Sequence, residues 1–322
     1  MKISSCLPVI LALMLLTAPV HGQEAAKPKT PTSLVRKPVY DEKADAKAQI
    51  QAALAKAKKE NRRVLIEWGA NWCSWCILLH DAFQKTPDLH RILSYEYDVV
   101  FVDVGRRDHN IELATSYGAD LNKNGIPYLT VLDSAGKVVV HQGTEPFEVR
   151  PPAGEKGHDA KKVQAFLVSQ QAKYHNADEV LTAGLAEAER SGRSVLLHFG
   201  APWCGWCHRL DDWLARSDVA PVMGKDYVDV KVDIDRMDGG KEIFKRYNPK
   251  NDSGIPWFVI LDSKGKAKVD CMSEKGNIGF PYEEHEVAHF LKMLEQTKQR
   301  LTDAEITVLK ASLAKPVKTA AQ

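Results

Sequence analysis

The chain has 322 residues, 44% of them hydrophobic and 27% charged, with 44 Lys and Arg against 42 Asp and Glu. That length admits about two domains, and the balance is that of a folded globular protein rather than a disordered or fibrous one. A formal charge of +2 supplies no concentrated basic face, so no nucleic-acid partner is expected.

Residues 1–22 read as a secretory signal. Lys2 gives a positive start, Leu7–Leu16 an apolar core, and Pro19–Gly22 a stretch before polar Gln23, so cleavage is expected after Gly22. The alternative, an uncleaved anchor helix, needs roughly 20 apolar residues and this run is shorter. No Cys opens the mature chain as a lipoprotein would require, and Thr319-Ala-Ala-Gln322 is not an endoplasmic-reticulum retention sequence. The expectation is a periplasmic or secreted protein with no membrane attachment in its mature form. Residues 23–43, rich in Ala, Lys and Pro, read as a flexible or extended linker.

Two similar halves follow, expected at 44–172 and 173–300. Each opens with an Ala/Lys/Glu-rich helix, Asp45–Glu60 and Asp178–Arg190, the second with Asn176 and Glu179 at capping-box spacing. A short strand runs into Cys-x-x-Cys, which opens a helix at Cys76–Phe83 and at Cys207–Leu214. Strands at Val99–Val104 and Tyr227–Ile234 come next, then a polar helix, then Ile-Pro. Tyr128–Leu132 with Val138–His141, and Trp257–Leu261 with Ala267–Cys271, read as hairpins joined through Ser-x-Gly-Lys. Helices at Ala160–Ala172 and Glu284–Gln299 close the units, and Thr302 with Glu305 caps one more helix in a tail over 301–322. Strand–helix–strand, helix, hairpin, helix implies an α/β fold in which each half is a central mixed sheet flanked by helices.

The halves align block by block. Val64-Leu-Ile-Glu-Trp-Gly-Ala-Asn-Trp-Cys-Ser-Trp-Cys76 matches Val195-Leu-Leu-His-Phe-Gly-Ala-Pro-Trp-Cys-Gly-Trp-Cys207, and Gly125-Ile-Pro127 matches Gly254-Ile-Pro256. The offset of about 130 residues is too long for a solenoid, whose units span 20–50, and marks a duplicated domain.

Six cysteines occur, and Cys6 leaves with the signal. Cys73, Cys76, Cys204 and Cys207 form two close pairs, unlike a disulfide scaffold, which scatters its cysteines to staple distant loops. At a strand-to-helix junction the first sulfur of Cys-x-x-Cys meets unpaired N–H groups and the positive end of the helix dipole, which favour the thiolate. The thiolate is the attacking species in disulfide exchange, so Cys73 and Cys204 are the expected attacking thiols and Cys76 and Cys207 the resolving ones.

These motifs resemble the thioredoxin superfamily, and most of all its bacterial exported branch with a Trp-Cys-Gly-Trp-Cys centre. The likeness covers about residues 44–299 in two copies, through Trp72–Cys76, Trp203–Cys207, Ile126-Pro127 and Ile255-Pro256. It implies two tandem thioredoxin-like domains. It also implies that Pro127 and Pro256 are cis, with Ile126 and Ile255 beside them in a loop that takes an extended substrate segment. The same resemblance implies a proton-relaying acid six residues before the first Cys. Glu67 occupies that place in the first half, the alternative being a partly exposed strand-end glutamate. His198 replaces it in the second, where a neutral buried imidazole would be the relay.

The function expected is disulfide exchange with client proteins and an upstream redox partner, with reduction or isomerisation ahead of oxidation. No cofactor is expected beyond the redox-active disulfides Cys73–Cys76 and Cys204–Cys207. Ser74-Trp75 and Gly205-Trp206 leave the potentials open within roughly −270 to −120 mV. Trp72 and Trp203 are assigned to packing, Trp75 and Trp206 to an exposed client contact. Cys271 is either a buried small residue or a third thiol exchanging with Cys204. Rival readings are a peptide-binding chaperone, a copper chaperone using Cys204, Cys207 and His208, and a zinc site. No metal site is expected: paired cysteines of a Cys₄ zinc site lie about 15–20 residues apart, far closer than these.

Overall fold

The computed structural model describes residue 1 and residues 37–314 apart from 153 and 251–252. The expected signal, the linker up to residue 36 and the frayed end of the tail lie outside the described residues, Met1 apart. Among the described residues no helix is long and apolar enough to cross a membrane.

The last part of the expected linker departs from a flexible one. Asn71 Oδ1 accepts from Val39 N and Tyr40 N, both at 3.1 Å, and Asn71 Nδ2 donates to Tyr40 O at 2.9 Å. Tyr40 is 1% exposed. The upstream Ala/Lys/Pro composition set the expectation, but one aromatic ring with a buried partner suffices to order the segment.

The first half is α1 (Ala46–Glu60), β1 (Arg63–Gly69), α2 (Ser74–Lys85), α3 (Pro87–Glu96), β2 (Tyr97–Asp103), α4 (Ile111–Ser116), α5 (Leu121–Asn124), β3 (Tyr128–Leu132) and β4 (Val138–Gly143). A short hairpin, β5 (Glu148–Val149) and β6 (Gly157–His158), precedes α6 (Ala160–Gln170). Its sheet runs β2-β1-β3-β4, with β1 parallel to β2 and antiparallel to β3. Along β1, Leu65 joins one core and Val64, Ile66 and Trp68 the other. That two-residue alternation buries both sheet faces under helices.

The second half repeats the plan: β7 (His175–Asn176), α7 (Ala177–Ser191), β8 (Ser194–Gly200), α8 (Gly205–Leu214), α9 (Ala220–Met223), β9 (Tyr227–Asp233), β10 (Met237–Asp238), α10 (Gly240–Tyr247), β11 (Trp257–Leu261) and β12 (Ala267–Asp270). A hairpin of β13 (Met272–Ser273) and β14 (Gly276–Asn277), then α11 (Glu284–Thr297) and α12 (Asp303–Leu313), complete it. The sheet order is β12-β11-β8-β9, the same arrangement as in the first half. Asn176 caps α7 through Glu179 N, and Thr302 with Glu305 forms a reciprocal box on α12.

Two features were not anticipated. Pro87 does not end the helical region: it occupies the first turn of α3, where a missing N–H costs nothing. The halves are also docked. Arg236 donates to Glu60 O and Asn61 O, both at 2.8 Å, and pairs with Glu96 at 3.0 Å.

Candidate active site

Each Cys-x-x-Cys lies where a strand buried over all or nearly all its length gives way to a helix. Cys73 and Cys204 are the N-cap residues of α2 and α8, and their Sγ atoms accept from Cys76 N at 3.2 Å and Cys207 N at 3.1 Å. Both pairs are disulfides, with Cα atoms 5.3 and 5.2 Å apart. The N-cap sulfur therefore sits among the free N–H groups of a helix start, which stabilise negative charge there.

The Ile126-Pro127 and Ile255-Pro256 peptide bonds are cis. Cys73 Sγ lies 3.8 Å from Ile126 O and Cys204 Sγ 3.6 Å from Ile255 O. Each disulfide is thus apposed to its own Ile-Pro loop, although the loops are some 50 residues downstream.

Glu67 is fully buried, which removes the partly exposed alternative. Tyr40 Oη donates to its Oε1 at 2.6 Å. Burial pushes the Glu67 carboxyl up to about 8, against the opposing pull of the Tyr40 hydrogen bond. A folded-state pKa above the ordinary 4.5 means that the native state holds this proton where the unfolded state has lost it. The stability concerned is complete below about pH 4.5 and is lost as pH rises to about 8, a loss of roughly 4–5 kcal/mol. Glu67→Gln is expected to remove that slope. Urea unfolding of both proteins at pH 5 and pH 8 measures it, and an unchanged difference between the two pH values would contradict it.

His198 sits in different surroundings. It is also buried, but Nε2 lies 2.9 Å from Asp229 Oδ1 and Nδ1 3.6 Å from Asp211 Oδ1. Burial disfavours its charge, yet the Asp229 and Asp211 carboxylates outweigh it and raise the imidazole pKa. In place of the expected neutral buried imidazole, His198 is a member of a charged cluster. Lys231 pairs with Asp211 at 2.5 Å, and Lys59 of the first half donates to Asp211 O at 3.3 Å.

Three of the four tryptophans depart from expectation, and Trp206 is exposed as expected. Trp72 and Trp203, assigned to packing, are 51% and 59% exposed. Their indole N–H groups bond Gly105 O at 2.7 Å and Asp235 Oδ2 at 2.8 Å, which anchors the rings while leaving a face to solvent. Trp75, expected to be exposed, is half-buried against His158, Arg150 and Lys156 around the β5–β6 hairpin. Trp206 is 49% exposed and stacks on Tyr282. Cys271 is fully buried, its Sγ accepting from Phe258 N and donating to Asn277 Oδ1, both at 3.1 Å, and burial pushes its pKa far up. His208 is half-buried with Nε2 2.8 Å from Pro202 O. Among the described residues no three His, Cys, Asp or Glu side chains converge on a point that would hold a metal ion.

Sequence reasoning did not find Tyr40, Asn71, Asp211, Asp229 or Lys231. A signal existed for one: Lys231 stands opposite His198 in the β8–β9 register, a charge on a strand whose neighbours are buried.

The thioredoxin-like family model matches residues 45–134 and 176–263. The chain belongs to the thioredoxin-like family. Each match carries one of the two cysteine pairs and its Ile-Pro. This thioredoxin-like chain is 25% identical over 99 residues to the disulfide bond reductase DsbH of Chlamydia pneumoniae, an overlap of 29% of this chain and 60% of that protein. It is 24% identical over 210 residues to protein disulfide-isomerase 1 of Dictyostelium discoideum, 64% of this chain and 54% of that one. The chain therefore spans little more than half the length of these two relatives. Among solved structures, a disulphide isomerase from Xylella fastidiosa Temecula1 is 31% identical over 42% of this chain and 97% of its own, with a TM-score of 0.35.

Proposed function

We propose that this protein is an exported thiol–disulfide oxidoreductase that exchanges disulfides with client proteins through two centres. The observation that carries the reading is the repeated apposition of an N-cap cysteine disulfide and a cis Ile-Pro carbonyl, at 3.8 Å in one half and 3.6 Å in the other. In the reductive direction the Cys73 or Cys204 thiolate attacks a client disulfide and forms a mixed disulfide, releasing one client thiolate. Cys76 or Cys207 then loses its proton and attacks the first cysteine's sulfur. The second client thiolate leaves, and two electrons have passed from the dithiol to the client. Glu67, through the ionised fraction that grows toward pH 8, and His198, in its ion network, would take the resolving thiol's proton.

An extended client segment would lie along the Ile126-Pro127 and Ile255-Pro256 loops. Trp203, Trp206 and Tyr282 offer apolar contact around the second centre. Reduction or isomerisation agrees with the names of the relatives, a disulfide reductase and disulfide isomerases. An upstream redox partner would keep the dithiols reduced, and the sequence of residues 1–22 supports a periplasmic or secreted location. The test is glutathione equilibration of each pair in a full chain whose other pair is serine, alongside reduction of insulin disulfides. Both centres are expected to equilibrate at different potentials, because one faces a neutral acid and tyrosine and the other a charged cluster. A protein inert toward insulin at both centres while still binding unfolded polypeptide would support the chaperone alternative.

A further inference from the structure

Tyr40 lies outside both segments matched by the family model, in the stretch before α1. Its ring stands edge-on to Phe101, with centroids 6.0 Å apart. The Asn71 side chain holds its backbone from both sides, two residues before Cys73. A Cβ built on Gly69 would overlap the Tyr40 hydroxyl and come within 3.0 Å of Cys76 Sγ. The phenol oxygen and the resolving sulfur thus share the space above one glycine. On its other side the hydroxyl donates to Glu67 Oε1 at 2.6 Å. Among the described residues the second half shows no counterpart: Lys231 Cε and Cys207 Sγ flank the equivalent Gly200, and Pro202 replaces Asn71.

We propose that Tyr40 is a proton-relaying residue of the first centre, its hydroxyl passing the Cys76 proton to Glu67. The proposal rests on the thiol–disulfide reading and adds a part that only the first centre has. When the mixed disulfide resolves, the Cys76 S–H bond breaks and its proton goes to the Tyr40 oxygen. The Tyr40 proton moves at the same time to Glu67 in its ionised form, the fraction of which grows as pH approaches about 8. The Cys76 thiolate forms its bond to Cys73 Sγ, and the client sulfur leaves with the electron pair. Concerted transfer avoids a free phenolate, which burial and the Glu67 charge both disfavour. The other titratable groups around the pair are Asp103 at the end of β2, whose charge acts on Tyr40, and His80 on α2, whose ring packs on Phe101.

Tyr40→Phe keeps the ring and removes the hydroxyl, and with it the relay and the hydrogen bond to Glu67. It is tested in two full-length chains, one with serine at Cys204 and Cys207 and one with serine at Cys73 and Cys76. The readout is decay of the mixed disulfide with insulin, by acid quench across pH 6–9. At the first centre the substitution is expected to slow resolution about tenfold and move its pH limb upward, as Glu67 loses the bond that favours its ionised form. The second centre is expected to be unchanged, and Tyr40→Phe is expected to add nothing in a Glu67→Gln background. An unaltered pH profile at the first centre, equal slowing at both, or a full additional loss beside Glu67→Gln would each overturn the relay. If neither centre of the unsubstituted protein reduces insulin, the thiol–disulfide reading fails, and the relay with it.

Discussion

Replacing Cys73 and Cys204 together by serine is expected to lower insulin reduction by about 10³-fold or more. Serine offers almost no oxyanion near neutral pH, whereas an N-cap thiol is held partly ionised by the helix start. The single variants are the informative ones. Each leaves one centre intact, so the two residual rates measure how far the centres act independently, and rates summing to that of the unsubstituted protein mean that neither depends on the other. Cys76→Ser and Cys207→Ser are expected to behave differently from the N-cap variants. They still attack but cannot resolve, so mixed disulfides with client accumulate and appear on non-reducing gels. If those variants gave no adduct while Cys73→Ser or Cys204→Ser did, the order of the two thiols would be reversed.

The features legible in the sequence are those that depend on near neighbours. The Asp45–Glu60 helix, the buried runs of β1 and β8 and the Thr302 cap each follow from a periodicity or a spacing within one element. The cysteine pairs and the Ile-Pro sites were legible because duplication printed them twice. What was missed depends on contacts between distant segments. Tyr40 reaches Glu67 across 27 positions, and Lys231 reaches Asp211 across 20, with only tertiary packing to bring them together. The expectations for Trp72, Trp75 and Trp203 fail for a related reason. Trp72 and Trp75 differ in exposure because the β5–β6 hairpin, far along the chain, covers one ring and not the other. The sequence contrast between Glu67 and His198 did point to unlike centres. It did not reveal that one acid is kept neutral in an apolar pocket while the imidazole is held in an ion network.

Arg236→Ala is expected to cost about 3–5 kcal/mol, because it strands a buried carboxylate. Arg236 is 5% exposed and Glu96 3%. The guanidinium pairs with Glu96 and also satisfies the carbonyls of Glu60 and Asn61, where α1 ends and its last C=O groups lack helical partners. Tyr174 donates to the other Glu96 oxygen at 2.8 Å, which orients the carboxylate but cannot neutralise it. One side chain of the second half thus closes the end of a first-half helix. That helix also places Lys59 on Asp211, and Asp211 faces His198 and Lys231. Loosening the junction is therefore expected to reach the second centre. Urea unfolding measures the stability loss, and glutathione equilibration of Cys204–Cys207 in the same variant measures the redox consequence. Adding Glu96→Gln to Arg236→Ala removes the stranded charge and is expected to recover much of the lost stability, though not the two carbonyl contacts. A full stability loss that persists in the double variant would place the cost in those carbonyls instead. An unshifted Cys204–Cys207 potential would mean that domain docking is structural only.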